Sequence, residues 1–283
     1  MKPKVISPLF PQVLKIKKLL RRLNLHTVCE EANCPNIGEC FSNKTATFMI
    51  MGDICTRNCH YCSVSNGKPR PLDPLEPMKI AQAVKDLGLK YVVITSVDRD
   101  DIPDGGASHF IKVVESIREL CGNVQIELLV PDFRGNVESI KLVVESKPDV
   151  INHNIETVER LYKRVRPGGN YYRSLSLLKY VKKLDPEITT KSGFMVGLGE
   201  SFQEIEKLFM DLKEQEVDII TVGQYLQPSK ENLPVSKYYT DEGFEIIRKM
   251  GKDIGFREVF SGKLVRSSYH AGEVYKKSYD DFK

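Results

Sequence analysis

Apolar residues recur along this chain in two alternating rhythms. Short runs rich in β-branched and aromatic residues are separated by longer segments whose apolar positions fall three and four apart, the signatures of buried strands and of amphipathic helices. The strand-like runs are T-A-T-F-M-I-M from Thr45, Y-V-V-I-T-S-V from Tyr91, V-Q-I-E-L-L-V from Val124, D-V-I-N-H-N-I-E from Asp149, T-T-K-S-G-F-M-V-G from Thr189 and I-I-T-V-G-Q-Y-L from Ile219. Helical periodicity is expected at about 78–87, 107–121, 137–146, 174–184, 202–216 and 241–254. Strands separated by helices of this length imply right-handed βαβ crossovers and a parallel sheet. Six such units predict an α/β fold, a partial and open (β/α)6 TIM-type barrel.

Ahead of the barrel, residues 12–23 read as an amphipathic basic helix with Val13, Ile16, Leu19, Leu20 and Leu23 on its apolar stripe. Behind it comes R-E-V-F-S-G-K-L-V-R-S-S-Y-H-A-G, from Arg257. Pairing of this segment with the N-terminal extension would close the barrel mouth. The expected division is therefore an N-terminal extension (1–44), a barrel (45–255) and a C-terminal extension (256–283).

Charge changes this picture little. Forty-two basic and 38 acidic residues leave a net charge of +4, too mild to argue for nucleic acid and compatible with docking an acidic protein partner. No segment approaches the length and apolarity of a membrane span, and M-K-P-K-V-I-S-P-L-F-P lacks the apolar core of a signal peptide. A cytoplasmic location is expected, or an organellar matrix if a transit peptide has been removed.

Cysteine changes it a great deal. Six of the seven cysteines lie between Cys29 and Cys62, and the seventh is Cys121, which reads as a packed thiol. An odd total crowded into one quarter of the chain is no secreted disulfide framework and points to metal ligation in a reducing compartment. In G-D-I-C-T-R-N-C-H-Y-C, Cys55, Cys59 and Cys62 follow a C-x3-C-x2-C spacing. On a helix these positions would share one face, but the intervening Thr56, Arg57, Asn58 and His60 speak against a buried helical stripe. Zinc is the competing metal, with His60 as an available fourth ligand, although zinc sites are usually built from paired C-x2-C knuckles. Three thiolates without a fourth local cysteine suit a cubane cluster with one open iron. A second triad, Cys29, Cys34 and Cys40, lies in a Pro- and Gly-punctuated stretch too widely spaced for a zinc knuckle, and a second cluster is the preferred reading.

In barrels of this type chemistry collects at the carboxyl ends of the strands. The first cysteine loop follows the first strand, as that rule requires. The other strand ends then offer Thr95, Ser96, Asp98, Arg99 and Asp100; Asn152, His153, Asn154 and Glu156; Gly197, Gly199 and Glu200; and Gln224, Tyr225 and Gln227. Singly these are ordinary cap and turn residues, and only their shared location singles them out. M-V-G-L-G-E is neither a Rossmann nor a Walker loop; R-V-R-P-G-G-N-Y-Y-R, basic with two tyrosines, is open to two readings, a solvated loop or a phosphate or single-stranded nucleic-acid contact; and none of the five histidines forms a ligand pair.

The spacing of Cys55, Cys59 and Cys62, with Tyr61 just before the last, resembles the signature of the radical S-adenosylmethionine enzymes. Nearly the whole chain is similar to the lipoyl synthases, on E-E-A-N-C-P-N-I-G-E-C, G-D-I-C-T-R-N-C-H-Y-C, T-S-V-D-R-D-D-I-P-D-G-G-A, N-H-N-I-E-T-V, V-R-P-G-G-N-Y-Y-R-S-L, Y-L-Q-P-S-K and V-R-S-S-Y-H-A. Glu231-Asn232 after P-S-K departs from that pattern, outside the ligand motifs.

The resemblance implies that Cys55, Cys59 and Cys62 hold a radical-generating [4Fe-4S] cluster whose open iron chelates S-adenosylmethionine. It implies an auxiliary [4Fe-4S] cluster on Cys29, Cys34 and Cys40, with a serine of R-S-S-Y, assigned to Ser268 rather than Ser267, as fourth ligand. Tyr61, Thr95, Ser96, Asn154, Glu156, Gly197 and Gly199 become the expected S-adenosylmethionine contacts, the glycines packing on adenine. The implied substrate is an octanoyl chain amide-linked to a lysine of a lipoyl carrier domain, of the glycine cleavage H protein or of a 2-oxoacid dehydrogenase acyltransferase subunit. Sulfur enters at C6 and C8, two S-adenosylmethionine being used per product, and a flavodoxin or ferredoxin is the implied electron donor. Neither carbon has an acidic proton, so hydrogen-atom abstraction is the route left. Another two-cluster enzyme, a tRNA methylthiotransferase, and a non-catalytic zinc-stabilised binding module are the alternatives. Anaerobic iron and sulfide analysis separates the classes: two cubanes give about eight irons per chain, whereas zinc with negligible sulfide would exclude the enzyme.

Overall fold

In the computed structural model, residues 11–42 and 46–280 are described; the N-terminal stretch 1–10 and Thr45, where the first strand is expected to start, lie outside them. The chain groups into two units, one built from the chain up to Arg57 together with Ser63–Asp149, the other from Asn58–Cys62 together with the chain from Val150 on.

In the first unit, α1 (Pro11–Leu23) buries Val13, Ile16 and Leu20 along the expected stripe. Strands β1 (Thr47–Ile50), β2 (Tyr91–Ser96) and β3 (Gln125–Leu129) run parallel, with Thr47 opposite Val93 and Val93 opposite Glu127. Every residue of β1 is buried, as expected of a strand covered on both faces. A two-residue strand, His26–Thr27, adds antiparallel to β1 at Phe48 and Met49. Helices α2 (Glu76–Leu87), α3 (Ala107–Cys121) and α4 (Val137–Glu145) follow the strands, and α3 packs against both of the others. Their limits follow local chemistry. Gly88 ends α2 in the left-handed region, Gly106 and Gly122 bracket α3, and the Asn136 side chain caps α4 on the N–H groups of Glu138 and Ser139.

In the second unit, β4 (Val150–Asn152), β5 (Thr189–Val196), β6 (Ile219–Gln224) and β7 (Glu258–Gly262) are again parallel and ordered in sequence. Helices α5 (Tyr171–Leu184), α6 (Phe202–Glu214) and α7 (Asp241–Ile254) lie between them in the chain, and α8 (Ala271–Asp280) follows β7. The alternation of strand and helix is the one the apolar rhythm predicts.

Two features differ from expectation. Strand β4 stops at Asn152, because the chain turns there and Glu156 takes φ +69° before bridging to Phe194 of β5. The segment 258–262, expected to pair with the N-terminal extension, takes β6 as its partner, Glu258 opposite Ile219 through Gly262 opposite Gly223. The physical reason is the free edge of β6, which another right-handed crossover through α7 reaches directly.

Helix α6 opens on a capping box: Ser201 Oγ accepts from Glu204 N at 3.3 Å and Glu204 Oε2 accepts from Ser201 N at 2.9 Å. Arg160 Nε adds a bond to Glu204 Oε1 at 2.7 Å, and this ion pair above all lowers the glutamate to about 2. The pair's contribution is therefore complete above the ordinary glutamate range and is lost as pH falls through about 2. Ser201→Ala removes the cap and is expected to cost about 1 kcal/mol in urea unfolding at neutral pH.

Candidate metal centre and the loops around it

None of the seven cysteines, all of which are described, is joined in a disulfide. The chain leaves β1 through two consecutive left-handed residues, Met51 at φ +68° and Gly52 at φ +90°, which turn it sharply into the first cysteine loop. Ile54–Cys55 then pairs in parallel with Ser65–Asn66. The half-exposed Cys55 receives two main-chain N–H groups on its Sγ, from Arg57 at 3.4 Å and from Asp98 at 3.3 Å. Thr56 ties the same loop to the end of β2: its N–H and its Oγ1 both donate to Asp98 O, at 3.0 and 2.9 Å, and its Oγ1 accepts from Asp100 N at 3.0 Å.

Cys59 and Cys62 belong to the second unit and are joined by a tight turn, Cys62 N donating to Cys59 O at 3.0 Å. His60 N donates to Val165 O at 3.0 Å, and its Nδ1 lies 2.8 Å from Arg164 O. A carbonyl only accepts, so Nδ1 carries the proton and the ring is held on the neighbouring loop. On the other side Asn232 Nδ2 donates to the carbonyls of His60 and Cys62, at 3.2 and 2.9 Å. Burial raises the Tyr61 hydroxyl well above its ordinary value, and the charges of Glu156 and Cys59 push it further.

The second triad is drawn together within the first unit. Cys34 N donates to Cys29 O at 3.1 Å, and Cys40 N to Asn36 O at 2.9 Å; two short helical turns, Val28–Glu31 and Ile37–Ser42, carry Cys29 and Cys40, and Cys34 lies on the link between them. Burial pushes the Cys29 thiol up, and Cys34 and Cys40 push it further. Cys40 is raised to about 12, by burial first and then by Cys34 and Glu39. Thiols that oppose one another's ionisation are stabilised as thiolates by a bound cation. Among the described residues no three His, Cys, Asp or Glu side chains stand in a ready-made metal-holding arrangement. The fit to an iron–sulfur group rests instead on donor chemistry: soft thiols outside any disulfide, with N–H groups already on one sulfur.

Of the remaining expected residues, Thr95 donates its hydroxyl to Leu129 O at 2.8 Å, whereas the buried Ser96 Oγ has no protein partner. Asn154 Nδ2 donates to Ser267 Oγ at 3.3 Å, while its buried Oδ1 has no protein partner. Gly197, at φ +104°, donates its N–H to Glu200 Oε1 at 2.7 Å, and Leu198 donates to Oε2 at 2.9 Å, so Glu200 braces the turn that Gly197 and Gly199 form. The C-terminal segment crosses β6 at Gly223, where any Cβ would lie 2.1 Å from Val265 O. That crossing brings Ser267 to Asn154 and leaves the neighbouring Ser268 half-exposed.

Sequence reasoning missed Arg57 and Asp132, which form an ion pair at 2.7 Å, and Arg166, whose Nη1 donates to Asn154 O at 3.0 Å. A charged residue inside a cysteine loop, and an aspartate straight after a strand in V-P-D-F, were the available signals.

Residues 49–212 match the sequence profile of the Radical SAM superfamily. A lipoyl synthase of Caldanaerobacter subterraneus subsp. tengcongensis is 57% identical over 257 residues, covering 91% of this chain and 90% of the relative. A lipoyl synthase of Rubrobacter xylanophilus is 54% identical, covering 93% and 82%, and one of Neisseria meningitidis serogroup C is 53% identical, covering 96% and 85%. Among solved structures, the crystal structure of HydG, a maturase of the [FeFe]-hydrogenase, is similar at a TM-score of 0.59 with 15% identity, over 80% of this chain and 58% of that one. Methylornithine synthase is similar at 0.56 with 14% identity, over 72% and 61%. The chain spans about three fifths of these two structures, whose likeness is one of α/β fold alone.

Gly193 of β5 lies close beneath a side chain of β6 and one of the loop after β4. A Cβ there would lie 2.6 Å from Thr221 Oγ1 and 2.9 Å from Asn154 Oδ1. Gly193→Ala is expected to destabilise by about 1–3 kcal/mol in urea unfolding, and adding Thr221→Ala should return part of that loss.

Proposed function

This chain belongs to the lipoyl synthase family of the Radical SAM superfamily, and from that premise we propose how its own residues divide the work of a sulfurtransferase. Membership implies a [4Fe-4S] cluster and S-adenosylmethionine. In our reading Cys55, Cys59 and Cys62 hold the radical-generating cluster, and Cys29, Cys34 and Cys40, with Ser268, hold a second. When bound, the first supplies the electron that cleaves S-adenosylmethionine, and the second supplies the sulfur inserted at C6 and C8 of an octanoyl-lysine chain.

The observation that carries this reading is the presence of two separate sets of three thiols, none in a disulfide, in a chain more than half identical to lipoyl synthases. Further support comes from polar atoms that lack protein partners. Asn154 Oδ1 and Ser96 Oγ have no protein partner and are available to S-adenosylmethionine; Tyr61, Thr95 and Glu156 complete the proposed contact set. Gly197 and Gly199 contribute shape, a turn braced by Glu200 on which adenine packs. Ser267 is engaged by Asn154, which favours Ser268 as the cluster ligand. Oxygen is a harder ligand than thiolate, so a serine–iron bond is the one most readily given up when sulfur leaves.

On this reading residues 1–44 carry the auxiliary triad, 45–255 generate the radical and 256–283 deliver the serine. The substrate is an octanoylated lipoyl carrier domain, of the glycine cleavage H protein or of a 2-oxoacid dehydrogenase acyltransferase subunit, and flavodoxin or ferredoxin supplies electrons. No described helix is long and apolar enough to cross a membrane, in keeping with a cytoplasmic site of action.

Anaerobic incubation of an octanoylated carrier peptide with reductant and S-adenosylmethionine, read by mass spectrometry, is expected to show gain of two sulfurs. Cys59→Ala should abolish 5′-deoxyadenosine formation. Cys34→Ala should spare it while preventing sulfur insertion, and Ser268→Ala should lower insertion on the order of 10- to 100-fold. Lipoyl product from Cys34→Ala would remove the sulfur-donor assignment.

A further inference from the structure

Arg57 stands two residues after Cys55, and its side chain is 4% exposed. Its Nε and Nη2 fork onto the two oxygens of Asp100 at 2.7 and 2.8 Å, and Nη2 reaches Asp132 Oδ1 at 2.7 Å. Nη1 lies 3.3 Å from Asp98 Oδ1, an ion pair at an angle outside hydrogen bonding. Burial opposes the charge, yet Asp100, Asp98 and Asp132 outweigh it and hold the guanidinium above its ordinary value. Asp98 and Asp100 follow β2 and Asp132 follows β3, so one side chain fastens the cysteine loop to two neighbouring strand ends.

The same residues supply the two N–H groups on the Cys55 sulfur, from Arg57 itself and from Asp98. Hydrogen bonds to a ligating sulfur favour the more negative, reduced state of an iron–sulfur group and so raise its potential. We propose that Arg57 is a positioning residue for Cys55: by binding Asp98, Asp100 and Asp132 it holds both N–H groups on that sulfur and thereby sets the reduction potential of the group Cys55 ligates. The inference rests on the reading of Cys55 as a cluster ligand.

The test is a redox titration of the holoenzyme, followed by the electron paramagnetic resonance signal that changes on adding S-adenosylmethionine. Arg57→Lys keeps the charge and loses the fork. Asp100→Asn breaks the fork at an aspartate whose side chain is 24% exposed. Both are expected to lower the midpoint, a tenfold drop in the reduced-to-oxidised ratio at fixed poise being about 59 mV. Removing a carboxylate without loosening the N–H groups has the opposite sign, because loss of a nearby negative charge eases reduction. Asp101→Asn, which faces Arg99 rather than Arg57, is the control and should not lower the midpoint. An unchanged or raised midpoint in Asp100→Asn overturns the inference, and that variant decides alone if Arg57→Lys fails to hold iron. Absence of any signal responsive to S-adenosylmethionine in the unsubstituted protein would instead overturn the proposed function.

Discussion

The hydrogen-bond register between parallel strands is the constraint on which the rest of the molecule depends. In the first unit Ile50 pairs with Ser96, and Thr95 with Leu129, so β1, β2 and β3 end at one level. Their following loops then start side by side, and Arg57, Asp98, Asp100 and Asp132 can meet. In the second unit Val196 pairs with Gln224, and Gly223 with Gly262, which sets the glycine turn after β5 beside the segment crossing β6. Chemistry collects at strand ends because parallel pairing puts those ends level and short loops keep them there.

Buried charge in both units is tied down in networks rather than isolated pairs. His109 Nε2 and Met51 N both bond Glu76 Oε2, at 2.6 and 2.8 Å, which holds the left-handed exit from β1 against α2 and α3. Asp218 gathers Lys182 at 2.6 Å, Arg257 at 3.0 Å and the N–H of Thr190 at 2.8 Å, joining α5, β5 and the approach to β7. Such networks add little net stability over apolar packing of the same shape, but losing one member strands the others. Their effect is to fix one arrangement of loops.

The two thiol sets sit in different environments. Cys55 is half-exposed and hydrogen-bonded by main-chain N–H groups, which suits a sulfur whose charge rises and falls with electron transfer. Cys29 is buried, and it and Cys40 are pushed up by burial and by their neighbours.

Much of this was legible in the linear chain, because local rules govern it. Helices α3 and α7 run over the residues their periodicity marks, and the six expected strands all form, since the apolar rhythm is an imprint of burial on neighbouring residues. The spacing of Cys55, Cys59 and Cys62 was equally plain. What depends on residues far apart was not. The choice of β6 as partner for 258–262, the meeting of Arg57 with Asp132, the approach of Val265 O to Gly223 and the engagement of Ser267 by Asn154 each join positions dozens of residues apart. No local pattern encodes them. Sequence by itself determined which thiols and which βα units this protein has; only the tertiary structure, through strand register and close backbone approach, decided which side chains meet around them.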